Sequence, residues 1–295
     1  MITLTQLDYF RRLAASEHIT ATAKELFISQ TALSSMIISL EKELGVQLFD
    51  RSRRSIRLNA AGRTYLSYVN QVFTALENGR AAIKDLEETR EQQISIAAGS
   101  SLVWAPMLHA FRSRYPEIVL KQSNLSVDNL NLALEEMTVD YVIAGEYDIS
   151  VPKLNSCYIK SDAVYFCAPD THPLAGRDSV YLEEIKDENF INLPAGAPWR
   201  NHCNRLFERA GLSIHSGLEC DYTMRGPLIA SGFGVALTSS SARSVDLLKP
   251  NRYIRVADPN TVRSMRLFWN PDRYLSRTAL IFKEFCIDFY KDAEV

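Results

Sequence analysis

A run of cationic side chains is the densest chemical feature of this 295-residue chain. Residues 51–63 contain five arginines and no acidic residue. The apolar residues just before them, Val46, Leu48 and Phe49, are expected to be buried, which would leave the arginines on a turn between two short extended segments. The pattern predicts a β-wing whose guanidinium groups bind phosphates or a minor groove, with a solvated arginine-rich loop as the alternative. The arginines of this wing are Arg51, Arg53, Arg54 and Arg57.

A small polar helix face precedes the arginines. Ser29 is a good N-cap and Gly45 a good C-terminal stop, so the sequence predicts a helix from Gln30 to Leu44. The apolar residues Leu33, Ile37, Leu40 and Leu44 form one face of that helix. The opposite face is uncharged and consists of Gln30, Thr31, Ser34, Ser35 and Ile38. Glutamine can hydrogen-bond to the edge of adenine, and Ile38 either touches a thymine methyl or packs on the protein. The alternative is a solvated face on an ordinary helical bundle.

Two helices are expected to position this face. Thr5, followed by Asp8, would cap a first helix with an apolar face. Thr20 would cap a short second helix, Ala21–Phe27, with Phe27 turned inward. A short helix, a tight turn and a longer helix with a small polar face form a helix-turn-helix.

A long helix is predicted after the wing, from a cap at Asn59 to about Glu88. Apolar residues and one glycine recur along it at alternating spacings of four and three. These positions are Tyr65, Val69, Val72, Leu76, Gly79, Ile83 and Leu86. The seam is typical of a dimerisation helix, so we expect at least a homodimer; the alternative is an amphipathic helix lying on its own domain.

The remaining two hundred residues alternate strands with helices, which predicts an α/β fold with parallel sheets. The expected strands are Ile94–Ala98, Ile118–Gln122, Tyr141–Ala144, Val164–Ala168, Phe190–Leu193, Val235–Thr238, Tyr253–Val256 and Met265–Trp269. Ligands in open α/β sheets bind at the carboxyl ends of strands and at helix N-termini.

Three segments of this half are candidate ligand contacts. The first is the turn Gly99-Ser100-Ser101, in which plain helix capping by Ser100 and Ser101 is an equal alternative. The others are segments placed before helices at Cys203–Ala210 and Leu228–Ala230, and each is equally suited to a surface or hinge role. Their candidate residues are Trp199, Arg200, Asn201, His202, Thr223 and Arg225. Arginines bind anions and tryptophan stacks on rings, so a small carboxylate, with or without an aromatic ring, is the expected ligand.

The first sixty residues resemble the LysR-type transcriptional regulators. The residues that carry this resemblance are Gln30, Leu33-Ser34, Leu40-Glu41, Leu44-Gly45, Leu48-Phe49, Arg51, Leu58 and Ala61-Gly62. The resemblance implies an N-terminal all-α winged helix-turn-helix with a long linker helix, and then an α/β effector domain of two subdomains similar to periplasmic binding proteins. It also implies double-stranded DNA, a small-molecule effector and a second copy of the chain, as a homodimer or homotetramer, as partners, and no cofactor, metal or membrane.

The resemblance divides the chain into a DNA-binding domain (1–58), a dimerisation helix (59–89) and an effector-binding domain (90–295). Subdomain I would hold about 92–162 and 267–295, and subdomain II about 163–266. The chain would then cross between them near Ser161 and near Phe268. Effector binding would change the closure of the two subdomains and thereby the spacing of the DNA-binding heads.

The sequence departs from the family pattern at the recognition helix. The family commonly has proline at Thr31 and threonine at Asn59, and basic residues are frequent at Ser35, Ile38 and Ser39. Residues 30–40 carry no charge here. We therefore expect the wing to make an unusually large share of the phosphate contacts.

Composition excludes several other classes of protein. The net charge is −2, with +2 on residues 1–90 and −4 on residues 91–295, so near-neutrality conceals a local cationic wing. The first residues lack the pattern of a signal peptide, and no segment is apolar enough for a membrane span to be expected. Five cysteines without a CxxC pair are expected to be reduced thiols in the cytoplasm. The sequence contains no Walker A, GxSxG, HExxH or complete GxGxxG motif, so an enzyme is not expected. The competing hypotheses are a solute-binding protein with a helical appendix and an α/β enzyme, and a redox thiol at Cys203 or Cys220 is a minor one.

Overall fold

The computed structural model describes residues 1–51, 56–86, 92–100, 102–245 and 251–291. The chain divides into two compact units, Met1–Arg80 and Ala81–Val295. The first begins with helices α1 (Leu4–Ser16), α2 (Ile19–Glu25) and α3 (Gln30–Leu44). Strands β1 (Phe49–Arg51) and β2 (Ile56–Leu58) follow, and then the long helix α4 (Ala60–Leu86).

An apolar core joins α1, α3, the two strands and the start of α4. The ring of Phe10 lies 5.6 Å from the rings of both Phe49 and Tyr65, measured between centroids. Glu41 is buried, and its carboxylate accepts hydrogen bonds from the backbone N–H groups of Leu48 (2.9 Å) and Phe49 (3.3 Å). This charged acceptor fixes the start of β1 against α3, because a buried N–H without a partner costs about 1–3 kcal/mol.

Several caps of this unit agree with the prediction. Ser29 accepts from the N–H of Ala32 at the start of α3, and Gly45 ends that helix at φ 70°. Asn59 caps α4 by accepting from the N–H of Gly62 at 2.8 Å.

Other expectations for this unit are wrong. Helix α1 is capped by Thr3 and not by Thr5, because Thr3 and Gln6 form a reciprocal capping box. Helix α2 begins before Thr20, at Ile19. The side chain of Val46 is 46% exposed. Phe27 points outward and is 95% exposed, because the turn after α2 requires φ 56° at this residue.

The apolar positions predicted as a dimerisation seam along α4 do not all remain exposed. Val69 is buried in the core of its own unit, and Tyr65 packs against that core. The amphipathic-helix alternative therefore holds for the first turns, while Val72, Leu76 and Ile83 remain exposed.

The second unit consists of two subdomains built on separate sheets. Its strands are β3 (Gln93–Ala98), β4 (Val119–Asn124), β5 (Tyr141–Gly145), β6 (Asn155–Asp162), β7 (Val164–Ala168), β8 (Ser179–Val180), β9 (Phe190–Asn192), β10 (Ser216–Glu219), β11 (Ala236–Ser239), β12 (Arg252–Val256) and β13 (Arg263–Trp269). Its helices are α5 (Ala105–Arg114), α6 (Val127–Glu135), α7 (Leu182–Ile185), α8 (Pro198–Arg209), α9 (Tyr222–Ala230), α10 (Ser240–Ser244) and α11 (Arg277–Phe289), with 3₁₀ turns at Leu102–Trp104 and Glu146–Asp148.

The two main sheets are mixed, so the expectation of parallel sheets is wrong in part. The first has the order β4-β3-β5-β13-β6, and β13 runs antiparallel to both of its neighbours. The second has the order β11-β7-β12-β8, and β7 runs antiparallel to β11 and β12. The chain enters β7 and β13 from the other subdomain and not through a helical crossover from a neighbouring strand of the same sheet, so nothing requires these two strands to run parallel to their neighbours. The sequence analysis does not predict the strands β6, β8 and β10, since β8 and β10 are short and β6 is mostly polar.

The chain passes between the subdomains twice. Only Ala163 separates β6 from β7, close to the crossing expected near Ser161. The return lies between Val256 and Arg263, before the position expected near Phe268, because β13 already pairs with β6 from Arg263. The two crossings meet the first sheet at neighbouring positions, because Arg263 pairs with Asp162.

Candidate nucleic-acid interface and ligand cleft

The outer face of α3 is polar, uncharged and accessible. Thr31, Ser35 and Ile38 are exposed, and Ser34 is half-buried. The opposite residues Leu33, Ile37 and Leu40 are fully buried, so the helix is held rigidly by its core face. Small hydroxyl groups allow close approach of a helix to base edges in a major groove.

Gln30 at the start of α3 is oriented by a contact that the sequence did not reveal. The hydroxyl of Thr20, on α2, donates to its side-chain oxygen at 3.3 Å. This contact orients the side-chain amide of Gln30, and its NH₂ group can still donate to a further acceptor. The exposed ring of Phe27 lies in the turn between these helices.

The wing is described only in part. Strands β1 and β2 pair antiparallel with Asp50 opposite Arg57, and Arg57 is exposed. Arg51 ends β1, but its side chain lies outside the described residues, as do Arg53 and Arg54. The carboxylate of Glu17 accepts from the N–H of Leu58 at 2.8 Å, which ties β2 to the end of α1.

A cleft lies between the two subdomains of the second unit. Its cavity volume is about 40 Å³, inside about 510 Å³ of space between the walls that includes open solvent. Its walls include Ser100, Trp104, Asp162, Trp199, Tyr222, Arg225 and Arg263. The cleft is therefore lined by aromatic rings, hydroxyl groups and two buried guanidinium groups.

Asp148 joins the subdomains beside this cleft. It is buried on the first subdomain and accepts a hydrogen bond from Arg205, on α8 of the second, at 2.9 Å. Arg263 pairs with its other oxygen. The N–H of Gly145 donates to the same carboxylate at 3.0 Å. Because one carboxylate serves two guanidinium groups, the cluster keeps an excess of positive charge.

Trp199 and His202 lie side by side on α8. The indole N–H of Trp199 donates to the carbonyl of Leu237 at 2.9 Å, and its ring packs 5.3 Å from the imidazole and 5.9 Å from the guanidinium of Arg263. Burial, with Arg263 and then Arg205 nearby, lowers the pKa of His202 to about 3. The imidazole is therefore neutral near pH 7.

The structure brings some of the predicted ligand contacts together and separates others. Ser100, Trp199 and Arg225 line the cleft, whereas Ser101 lies outside the described residues. The remaining candidates, Arg200, Asn201, His202 and Thr223, are not among the lining residues.

Local geometry explains the displaced candidates. Helices α8 and α9 begin earlier than expected, at Pro198 and Tyr222, so neighbouring candidates point in different directions around each helix. Arg200 instead pairs with Glu219. Thr223 is exposed, and its hydroxyl donates to Asp221, the cap of α9, at 2.6 Å.

Sequence reasoning missed Arg263 and Asp162 in the cleft wall. The sequence offered no signal for Arg263, because its partner Asp148 is 115 residues away.

Burial makes the cysteines of this unit poor nucleophiles. Burial raises the pKa of Cys203 to about 12 and that of Cys220 above its ordinary value. Both therefore remain thiols near pH 7, which argues against the redox-thiol alternative. Across the described part of the chain, no group of three or more His, Cys, Asp or Glu side chains is arranged to hold a metal ion. No helix within the described ranges is long and apolar enough to cross a membrane.

Comparison with family models assigns both halves of the chain. Residues 4–63 match the bacterial regulatory helix-turn-helix protein model of the lysR family, and residues 87–291 match the LysR substrate binding domain. The chain belongs to the LysR family of transcriptional regulators. The predicted fold class, a winged helix-turn-helix followed by a two-subdomain α/β effector region, is confirmed.

Curated members of the LysR family align along almost the whole chain. An uncharacterized HTH-type transcriptional regulator of Bacillus subtilis is 31% identical over 97% of this chain and 99% of the relative. The transcriptional dual regulator GltC of the same organism is 26% identical over 99% and 98%.

Solved LysR-family structures share the fold. A full-length OxyR variant from Pseudomonas aeruginosa has a TM-score of 0.73 at 21% identity, covering 97% of this chain and 95% of that one. Full-length CbnR in complex with its target DNA has a TM-score of 0.67 at 18% identity, covering 97% and 99%.

Proposed function

We propose that this LysR-type regulator reads duplex DNA with the outer face of α3 while the β1–β2 wing contacts phosphates. The observation that carries this proposal is the separation of α3 into a buried apolar face and an exposed, uncharged hydrogen-bonding face. Gln30, Thr31, Ser34, Ser35 and Ile38 would contact bases, and Arg51, Arg53, Arg54 and Arg57 would contact the backbone. The solved complex of CbnR with DNA supports the proposal by analogy of fold.

A pair of matched charge insertions tests the reading face. In Ser35→Glu a carboxylate replaces an exposed hydroxyl of α3, where it would face the phosphates and repel them. Ser67→Glu makes the same change at an exposed position of α4. We expect Ser35→Glu to abolish duplex binding in a fluorescence-anisotropy titration and Ser67→Glu to retain it. Equal binding by the two variants would rule out α3 as the reading helix.

The proposed assembly is a homodimer, or a tetramer built from dimers, held by α4. Tyr68, Val72, Leu76 and Ile83 are exposed apolar residues of this helix and lie within about 80° of one another at 100° per residue. An exposed apolar stripe of this length favours burial against a second copy. In this proposal residues 1–58 bind DNA, residues 59–89 form the dimer and residues 90–295 bind the effector.

The cleft is the proposed effector site. A small molecule bound there would touch both subdomains and thus change their relative closure, which α4 would convey to the DNA-binding heads. A regulator of this kind acts in the compartment that contains DNA, so we place it in the cytoplasm and assign it no enzymatic step.

A further inference from the structure

An acidic side chain is bonded to the wing that we assign to phosphate binding. Glu17 ends α1, and its carboxylate accepts the N–H group of Leu58 in β2 at 2.8 Å. A carboxylate beside this surface repels the phosphates of a duplex, so its charge alone disfavours DNA binding. A favourable contribution of Glu17 to DNA binding must therefore come from the hydrogen bond that it accepts.

The wing needs an anchor because it is a ribbon of only two short strands. Such a ribbon is marginally stable by itself in water. The N–H group of Asn59 donates across the ribbon to the carbonyl of Leu48 at 3.0 Å. The N–H groups of successive residues in a strand point to opposite sides, so that of Leu58 points away from β1. Glu17 therefore satisfies the outer edge of β2, which the partner strand does not reach.

A second side chain holds Leu58 from α4. The Nη1 group of Arg63 donates to the carbonyl of Leu58 at 2.7 Å. Both backbone polar groups of Leu58 are thus bonded to side chains, one from the end of α1 and one from the start of α4. Arg63 is the last of the five arginines between residues 51 and 63, and this contact gives it a role within the protein.

The backbone of Glu17 is held in an uncommon conformation. Its φ angle is 51°, in the left-handed region that disfavours residues other than glycine. The hydroxyl of Ser16 lies 2.5 Å from that of Thr22 and accepts the N–H group of His18 at 3.1 Å. These contacts fix the residues on both sides of Glu17. The conformation persists because its surroundings determine it, and it directs the carboxylate to β2.

The residue that these contacts position is Arg57, which precedes Leu58 in β2. Ile56 is buried and Arg57 is exposed, since successive side chains of a strand point to opposite faces. The N–H group bonded to Glu17 belongs to the planar peptide that joins Arg57 to Leu58. Holding this plane fixes the Cα atom of Arg57 and thereby the direction in which its guanidinium extends.

We propose that Glu17 is a positioning residue for DNA binding, which directs Arg57 to the phosphates by holding the peptide between Arg57 and Leu58. The proposal rests on the proposed function, because it specifies how the wing of the same interface is held. It requires that loss of the acceptor at position 17 weakens DNA binding, although loss of the negative charge strengthens it. The two effects are separable, because an amide side chain accepts hydrogen bonds without carrying a charge.

A matched pair of amide substitutions separates the acceptor from the charge. Glu17→Gln keeps an acceptor at the same reach, whereas the side chain of Glu17→Asn is one methylene shorter and no longer reaches Leu58. Both variants remove the same charge, and asparagine tolerates the left-handed region, so the end of α1 is preserved. The probe is a fluorescein-labelled duplex of random sequence, since phosphate contacts do not depend on sequence. Fluorescence anisotropy measures its affinity for the full-length protein at several salt concentrations.

The two amides should differ in their salt dependence. We expect Glu17→Gln to bind the duplex at least as tightly as the wild-type protein does. Glu17→Asn should lower the slope of log K against log salt by about one unit for each wing that contacts the duplex. Per wing, this corresponds to about eightfold weaker binding than that of Glu17→Gln at about 0.1 M salt. In an Arg57→Ala background the difference between the amides should disappear, because residue 17 acts through Arg57.

Two results would overturn the inference: equal salt slopes for the two amides, and a difference between them that persists in the Arg57→Ala background. Circular dichroism verifies the fold of each variant. If Glu17→Asn does not fold, Glu17→Gly takes its place, since glycine suits the left-handed angle and also lacks the acceptor. Salt-sensitive binding by the wild-type protein together with either result refutes the positioning role alone. Absence of such binding refutes the proposed function and the positioning role with it.

Discussion

The buried imidazole of His202 should make the second unit sensitive to mild acid. Its side chain is 6% exposed, and burial together with Arg263 and Arg205 lowers its pKa from 6.5 to about 3. In the folded chain the ring therefore stays neutral down to about pH 3, whereas in the unfolded chain it takes up a proton below 6.5. The unfolded state binds more protons within this window, so lowering the pH through it stabilises the unfolded state.

The size of the effect follows from the two pKa values. Each pH unit below the unfolded pKa costs about 1.4 kcal/mol, so lowering the pH from about 7 to about 5 should remove roughly 2 kcal/mol of stability through this group. Substituting His202→Asn deletes the titrating ring. The variant should lose roughly 2 kcal/mol less than the wild-type protein over the same interval, whatever its stability near neutrality.

Urea unfolding followed by tryptophan fluorescence measures this difference, because every tryptophan lies in the second unit. His215→Asn, at an exposed position, controls for the loss of a histidine and should retain the wild-type dependence on pH. If the wild-type protein and His202→Asn lose the same stability between the two pH values, the imidazole is not held neutral by its surroundings.

Two further predictions concern the first unit and its helix. Glu41→Ala leaves the buried N–H of Leu48 unpaired and should lower the stability of the winged unit by about 1–3 kcal/mol in a denaturant titration followed by circular dichroism. Glu43→Ala removes a more exposed carboxylate that pairs with the N-terminus and should cost less. An equal loss in the two variants would contradict a special role for the buried carboxylate. Leu76→Glu places a charge in the exposed apolar stripe of α4 and should yield monomers in sedimentation, whereas Gln71→Glu, off the stripe, should not. A dimeric Leu76→Glu variant would show that another surface holds the copies together.

Much of the first unit could be predicted because its determinants are local. Ser29 and Gly45 mark the ends of α3, and the spacing of Leu33, Ile37 and Leu40 assigns its buried face. Residues three and four apart on a helix share a face wherever the helix occurs, so the exposed polar surface followed from spacing alone. Phe27 was misplaced for the opposite reason: its outward direction depends on a left-handed backbone angle in the turn.

The effector half shows where local reasoning ends. The sequence determined an α/β fold and marked Ser100, Trp199 and Arg225, which do lie in the cleft wall. It could not separate them from Arg200, whose partner Glu219 is distant in the chain. Arginines of identical chemistry differ here in their burial and in the partners that folding places beside them.

By itself, then, the sequence determined the winged helix-turn-helix, the exposed polar face of α3 and the α/β class of the remainder, since these follow from periodicity and capping within about one element. The tertiary structure alone decided that Asp148 joins Arg205 to Arg263. Those pairings connect positions more than fifty residues apart. Their geometry depends on how β13 returns to the first sheet, and no local pattern encodes that return.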